Sequence, residues 1–297
     1  MTEDTIHHRN RFRVLTWLSE KTALLAAAKS FYVTPALLDS LGIKSEQLVL
    51  KSDGSHEAGR HFFKPQSVDW VASHPPDPTD EYERRGVDRL RKVWLRHDRE
   101  RNDDEHGAEV IATCLNTEFL TLLRIPAGSG ALQKLSGWAE GQYLGEIIKS
   151  PFMSPRVLTA GPDESPLAPW ALDIHTAWYR RDKQAPHVIA TLVHQLAPDA
   201  QNLTRSELLI IMGIMRTRFE LFDDHEIAPL MVISCFHGTR ARIVQAHYDN
   251  DQLFIHKSDL VPLNSPEARQ RNIPILLAYL SSQPTGDTRH IEPQAER

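Results

Sequence analysis

Residues 204–258 read TRSELLIIMGIMRTRFELFDDHEIAPLMVISCFHGTRARIVQAHYDNDQLFIHKS, and this stretch decides the fold class. It opens with Thr204 and, three residues later, Glu207. That spacing is typical of a capping box, in which each side chain accepts a hydrogen bond from the other residue's backbone amide. Residues 208–215 are apolar throughout, with Gly213 as the only small residue. Because a helix that is apolar on nearly all sides must be buried, we predict a buried helix that begins at Thr204.

Three strand-like runs follow this helix, at residues 227–236, 240–248 and 253–258. Short polar turns with the sequences HGT and DND separate the runs, and such turns join neighbouring antiparallel strands. Ser265 followed by Pro266 then marks the start of another helix. We therefore predict an α+β fold with a helical N-terminal half and C-terminal helices packed on a small antiparallel three-stranded sheet.

The strand-rich stretch also resembles a group of known sequences. Three of its segments resemble the C-terminal part of uncharacterised proteins from filamentous fungi: residues 226–234 (EIAPLMVIS), 242–248 (RIVQAHY) and 255–258 (IHKS). The resemblance covers about the last third of the chain, on its strand pattern. It implies a fungal source, and no activity is attached to that group.

The rest of the chain is organised around two proline-rich breaks, at residues 73–78 and 151–169. Proline ends helices and inner strands because it lacks the amide donor and restricts the residue before it. Upstream of the second break, apolar residues recur at helical spacing, for example between residues 110 and 123. We predict a mostly helical half over residues 1–150, a connection over 151–169, an α+β unit over 170–282 and a disordered tail over 283–297.

Composition limits the class of protein. The chain has 297 residues, of which 41% are hydrophobic and 25% charged, and its formal net charge is −5. These values are typical of a globular protein and exclude a disordered chain, and no apolar run is long enough for a membrane span. The only two cysteines, Cys114 and Cys235, lie in apolar patterns, which predicts reduced, unbridged thiols. We expect a soluble protein of the cytoplasm or nucleus, with no membrane association.

The least random feature is a run of positive charge. Residues 84–101 contain eight Lys or Arg and three acids, a local net charge of +5, so the remainder of the chain carries −10. Five of these cations recur at alternating intervals of four and three residues, so on a helix they share one narrow face opposite Val87, Leu90 and Trp94. We call them the cationic face: Arg85, Arg89, Lys92, Arg96 and Arg99.

Two interpretations of the cationic face stay open. It is either a solvated helix surface with ion pairs such as Glu81–Arg85 and Asp88–Lys92, or a binding surface for an acidic protein or a nucleic acid. The second interpretation makes the chain a non-enzymatic intracellular interaction protein, using residues 84–101 for its partner. The sequence does not predict an oligomeric state.

A nuclease-like enzyme is the alternative. The helix followed by three strands, with Glu207, Asp249 and Lys257, is similar to the core of restriction-endonuclease-like enzymes. Those enzymes need a second carboxylate two residues before the lysine to hold a divalent metal, and Ile255 occupies that position here. The hypothesis is therefore a degenerate or unusual metal-dependent nuclease-like enzyme.

Other chemistry has little support in the sequence. The HExxH and CxxC spacings of zinc sites, phosphate-binding loops and dinucleotide fingerprints are all absent. The run Asp223 to Glu226 places four polar residues in a row, and consecutive side chains point in different directions. We predict neither a metal site nor a cofactor.

Overall fold

The fold is described from a computed structural model, which describes residues 3–55, 61–100, 106–126, 130–140, 172–180 and 185–289. The predicted connection at residues 151–169 and the last eight residues of the predicted tail lie outside the described residues. The part of the tail that is described, residues 283–289, packs on the fold: Gln283 pairs with Lys64, and the backbone carbonyl of Thr288 accepts hydrogen bonds from the amides of Glu226 and Ile227.

The described residues contain eight α-helices, and a π-helical turn over Thr117–Thr121 continues the fifth. The helices are α1 (Glu3–Ala26), α2 (Pro35–Leu41), α3 (Val68–Ala72), α4 (Glu81–Arg99), α5 (Gly107–Asn116), α6 (Leu132–Leu135), α7 (Arg205–Leu221) and α8 (Pro266–Leu280).

Within the described ranges, the strands form one large sheet and three two-stranded ones. Those of the large sheet are β2 (Ile43–Gln47), β6 (Trp138–Glu140), β7 (Leu172–Arg180), β8 (Val188–His194), β10 (Leu230–Phe236), β11 (Arg240–Asp249), β12 (Gln252–Lys257) and β13 (Val261–Pro262). The short pairs are β1 (Tyr32–Val33) with β9 (Leu203–Thr204), β3 (Phe63–Lys64) with β14 (Gln283–Pro284), and β4 (Leu123–Arg124) with β5 (Gly130–Ala131).

The prediction of a small three-stranded sheet is wrong, although helices and strands are combined as an α+β fold requires. The predicted meander β10–β11–β12 is present and antiparallel, but it forms only the middle of an eight-stranded mixed sheet in the order β2-β12-β11-β10-β8-β7-β6, with β13 also on β11. Strand β2 joins β12 in parallel from the half predicted to be helical, and β8 joins β10 in parallel. Pairings between such distant segments leave no local sequence signal, which is why the prediction missed them.

Helices cover both faces of this sheet. On β10, Leu230 and Val232 point into the core shared with α1 and α7, whereas Met231 and Ile233 point into the core shared with α5 and α8. This alternation is the two-residue period of a strand, and both faces are apolar because both are covered. The sheet is thus the middle layer of three.

Helix α7 confirms the prediction of a buried helix. Thr204 and Glu207 form the predicted capping box, and the side chains of residues 208–215 are completely buried wherever they are apolar. No helix in the described ranges is long and apolar enough to cross a bilayer.

Candidate functional site

The cationic face lies on α4, which begins after Asp80. The Asp80 carboxylate caps the helix by accepting hydrogen bonds from the amides of Tyr82 and Glu83. Leu90 is buried against α5, with Val87 beside it, so this side of the helix faces the protein. The opposite side carries all five predicted cations, and each of them is exposed: Arg85, Arg89, Lys92, Arg96 and Arg99.

The five cations differ in their partners. Arg85 pairs with Glu81 at 2.5 Å, as the solvated-surface interpretation expects, and Arg96 pairs with Glu100 at 2.9 Å. The expected Asp88–Lys92 pair is not formed; the nearest cation to Asp88 is Arg91, at 3.8 Å. Across the described ranges, three members of the cationic face form no ion pair: Arg89, Lys92 and Arg99.

The C-terminal half of α4 is fixed by contacts with α8. The Arg269 guanidinium donates to both carboxylate oxygens of Asp98, at 2.9 and 2.6 Å, and lies 4.5 Å from the centre of the Trp94 ring. The hydrogen bond and the charge of Arg269 lower the pKa of Asp98. Because this pair is two-pronged and partly buried, it holds the helix in one orientation.

The sequence analysis did not include two exposed side chains that lie beside the cations, Tyr82 and Leu95. Tyr82 is 66% exposed and precedes Arg85 by three residues, so it extends the cationic face by one turn. Leu95 is 48% exposed on the same half of the helix. An aromatic ring beside cations can stack on a nucleobase. The helical spacing of the cationic face, continued upstream of Arg85, would have identified Tyr82.

A cleft of about 370 Å³ opens beside the cationic face, between the C-terminal half of α4 and the start of α5. Arg96 belongs to both features. The lining combines apolar, imidazole and carboxylate groups: Val93, Arg96, His97, Glu100, His106, Glu109, Val110 and Thr113. Among the described residues, no group of three or more His, Cys, Asp or Glu side chains is placed to hold a metal ion.

The first residue of the nuclease-like alternative, Glu207, is committed to the fold. Its carboxylate and the Arg242 guanidinium on β11 are both completely buried. Arg242 donates from Nε to Oε1 at 2.8 Å and from Nη2 to Oε2. Ser234 donates to Oε1 at 2.7 Å, and the Thr204 amide and hydroxyl donate to Oε2 at 2.8 and 3.0 Å.

This network decides the charge of Glu207. Burial would raise its pKa, but the charge and hydrogen bonds of Arg242, together with the hydrogen bond from Ser234, outweigh burial and hold the pKa at about 2. The carboxylate is therefore ionised, and its lone pairs are taken up by protein donors. It could bind a divalent cation only by releasing Arg242.

The structure does not bring Asp249 to the other two residues. Asp249 pairs with Gln252 beside the turn between β11 and β12, whereas Lys257 pairs with Val244, five residues back along β11. At about 3.4 Å per residue, the two positions are about 17 Å apart along the sheet. Lys257 lies at the Glu207 end, where its ammonium donates to the backbone carbonyl of Ala200 at 3.1 Å.

His194, the last residue of β8, joins the polar cluster at this end of the sheet. It is completely buried, and its ring stacks on Phe236 with the ring centres 4.5 Å apart. Neither ring nitrogen has a hydrogen-bond partner among the described residues. Burial lowers the pKa of His194 to about 4, against the opposing charge of Glu207, so the ring is neutral at pH 7. Nothing in the sequence beyond the histidine itself marks this position.

The two cysteines have no chemical partner. Cys114 and Cys235 are both free and buried, and burial raises the pKa of each thiol, that of Cys114 to about 12. Cys235 is therefore a packed core residue beside Ile233 and Ala241 rather than a nucleophile.

No protein-family model, no curated protein and no solved structure matches this chain.

Proposed function

We propose that this protein is an interaction protein that binds an acidic partner, a nucleic acid or an acidic protein surface, through the cationic face of α4. One observation carries the proposal. Arg89, Lys92 and Arg99 are exposed and unpaired within the described ranges, although the rest of the chain is acidic. A solvated helix surface would be expected to use its own carboxylates to neutralise such cations.

Geometry supports the proposal further. The helix is held by the Arg269–Asp98 pair, so a partner would meet cations on a fixed scaffold and would not have to order a mobile segment. The cations project from one face over about four turns, and Tyr82 adds an aromatic ring at one end. Phosphates or carboxylates spaced along a linear partner complement such a surface.

Source and compartment are part of the same proposal. The resemblance of residues 226–258 to filamentous-fungal proteins suggests a fungal source, and the two reduced cysteines suggest the cytoplasm or nucleus.

Charge reversal at the unpaired cations tests the proposal. In the variant Arg89→Glu/Lys92→Glu/Arg99→Glu, the side chains point away from the core, so the melting temperature should change little. The matched control reverses three exposed cations elsewhere, Lys29→Glu/Lys64→Glu/Arg240→Glu, with the same change in net charge.

Two binding measurements follow. Titration with duplex and single-stranded nucleic acid should show an affinity that falls with salt, with a log–log slope of about −0.9 per duplex phosphate contacted. The α4 variant should lose that affinity or flatten the slope, and the control variant should keep both. For an acidic protein partner, affinity purification from the source cells should lose the partner with the α4 variant only. If both variants behave alike in both measurements, the cationic face is only a solvated surface.

A further inference from the structure

Strand β2 lies at one edge of the large sheet, and in the described ranges no strand pairs with its outer side. It pairs with β12 in parallel over five consecutive residues without a register shift. Its sequence, IKSEQ, contains no proline, and the four residues after Ile43 are all exposed. Proline, a bulge or a covering segment often blocks an open edge, and β2 relies on none of these in the part of the chain that is described. The charges of Lys44 and Glu46 are what remain to control its pairing.

The pairing of β2 with β12 shows which backbone groups of β2 point outward. The amide of Leu48, just after the strand, donates to the carbonyl of Lys257 on β12 at 2.8 Å. In a parallel pair, alternate residues direct both their amide and their carbonyl at the neighbouring strand. The even-numbered residues of β2 therefore face β12, whereas the amides and carbonyls of Ile43, Ser45 and Gln47 point away from it. These three residues offer both donors and acceptors along the open edge.

Antiparallel pairing with the β2 strand of a second copy uses all of these outward groups. A two-fold axis at Ser45 places Ser45 opposite Ser45 of the second copy. The same axis places Ile43 of each copy opposite Gln47 of the other. Hydrogen-bonded pairs of an antiparallel ladder exchange both of their N–H···O bonds, so each of these three pairs is joined by two hydrogen bonds.

The charges of the strand select this register. Within one chain, Lys44 Nζ lies 2.9 Å from Glu46 Oε1, so the two side chains lie on the same face of the sheet. With the axis at Ser45, Lys44 of each copy lies opposite Glu46 of the other, in the closely spaced pairs of the ladder. A slip of two residues in one direction places Lys44 opposite Lys44, and a slip in the other direction places Glu46 opposite Glu46. Like charges directly opposite each other destabilise a strand pair, so both slipped registers are disfavoured.

We propose that β2 is a homodimer interface: two copies of the chain pair their β2 strands antiparallel about a two-fold axis at Ser45, and their large sheets become one continuous sheet. Such an interface uses the same surface on both copies. Because each copy then has its β2 edge covered by the other, this contact ends at two chains. The dimer does not depend on the partner of the cationic face, which lies on α4.

Two charge variants of the whole chain test this proposal. Lys44→Glu makes positions 44 and 46 both negative, and Glu46→Lys makes them both positive, so each variant should repel its own copy. An equimolar mixture of the two variants restores opposite charges at both cross-strand pairs. In sedimentation equilibrium, the apparent mass of the unmodified chain should rise with concentration from that of one chain towards that of two. Each variant alone should have a dimer dissociation constant raised about tenfold or more, and the mixture should recover the association of the unmodified chain.

Lys29→Glu and Glu20→Lys are the matched controls, because they make the same changes of charge at exposed positions outside β2. Each control should associate as the unmodified chain does. The proposal is overturned if the unmodified chain has the mass of one chain at every concentration up to about 100 μM. It is also overturned if the β2 variants associate as well as the controls, or if mixing the two β2 variants restores no association.

Discussion

The Glu207–Arg242 pair should be the most sensitive polar contact in the described fold, and Arg242→Met tests this. Methionine keeps much of the length of the arginine side chain but removes its charge and all its donors. The change deletes two hydrogen bonds to the Glu207 carboxylate and two to the backbone carbonyls of Asp199 and Asn202. What remains is an ionised carboxylate with no exposed surface and no cation.

The expected cost follows from that burial. Removing one partner of a fully buried ion pair costs about 3–5 kcal/mol, because the other charge stays buried and unpaired. A domain is stable by only about 5–15 kcal/mol, so the variant should lose about a fifth of its free energy of unfolding or more. By contrast, Arg216→Met removes a partly exposed ion pair with Glu220, which lies on α7 as Glu207 does. This change should cost at most about 1 kcal/mol. Arg216→Met is therefore the matched control.

A double variant separates the charge from the loss of packing. In Glu207→Gln/Arg242→Met, the amide oxygen can accept from the Thr204 amide in place of Oε2, and the amide nitrogen can donate to the Ser234 hydroxyl in place of Oε1, but no charge is buried. The double variant should therefore be more stable than Arg242→Met by about 2 kcal/mol or more, although it carries one more substitution.

The pH dependence should also change sign. In the unmodified chain Glu207 has a pKa of about 2, below its ordinary 4.5, so its stabilising contribution is present above pH 4.5 and is lost as the pH falls towards 2. Without Arg242, burial raises the pKa of Glu207 above 4.5. The folded variant then binds the proton more tightly than the unfolded chain, and it loses stability as the pH rises above 4.5.

Urea unfolding of the unmodified chain, the control and both variants, at several pH values, gives these free energies directly. The reasoning is refuted if Arg242→Met costs no more than Arg216→Met. It is refuted equally if the double variant is no more stable than Arg242→Met, because the buried charge would then not be the cause.

Three further predictions concern buried side chains. Burial lowers the pKa of His187 from 6.5 to about 4, so as the pH falls the unfolded chain binds this proton before the folded chain does. Urea unfolding should therefore show that His187 costs about 2 kcal/mol of the free energy of unfolding between pH 7 and pH 5. The variant His187→Gln should remove this part of the pH dependence. The change Met212→Asp places a carboxylate in the fully buried part of α7 and should prevent soluble folding, and a wild-type melting temperature would contradict the burial of α7. The thiols of Cys114 and Cys235 should react with a thiol reagent only in denaturant, and rapid labelling of the native chain would count against their burial.

The successful predictions rest on signals within a few consecutive turns or strands. The capping box of Thr204 and Glu207, the burial of α7 and the two sides of α4 follow from helical spacing, which depends on residues three and four apart. The turn between β11 and β12 is equally local, because Asn250 and Asp251 both adopt positive φ angles, which suit a two-residue hairpin loop.

Tertiary structure decided the features that join distant parts of the chain. Ile43 of β2 lies beside Leu253 of β12, and no pattern within either strand names the other as its partner. The buried cluster around Glu207 also depends on contacts between distant parts of the chain. The sequence identified Glu207 as a capping residue, but only the pairing of Ser234 with Arg242 across β10 and β11 places a guanidinium against its carboxylate.

The same register put Asp249 and Lys257 at opposite ends of one hairpin, although they are only eight positions apart in sequence. Amino-acid order by itself therefore determined the buried helix α7, the three-stranded meander that follows it and the helix face that carries positive charge. The folded chain alone decided which strands are neighbours and which polar groups are buried together. The physical reason is that helical and turn preferences act between near neighbours, whereas strand pairing and burial depend on contacts that form only when the whole chain is compact.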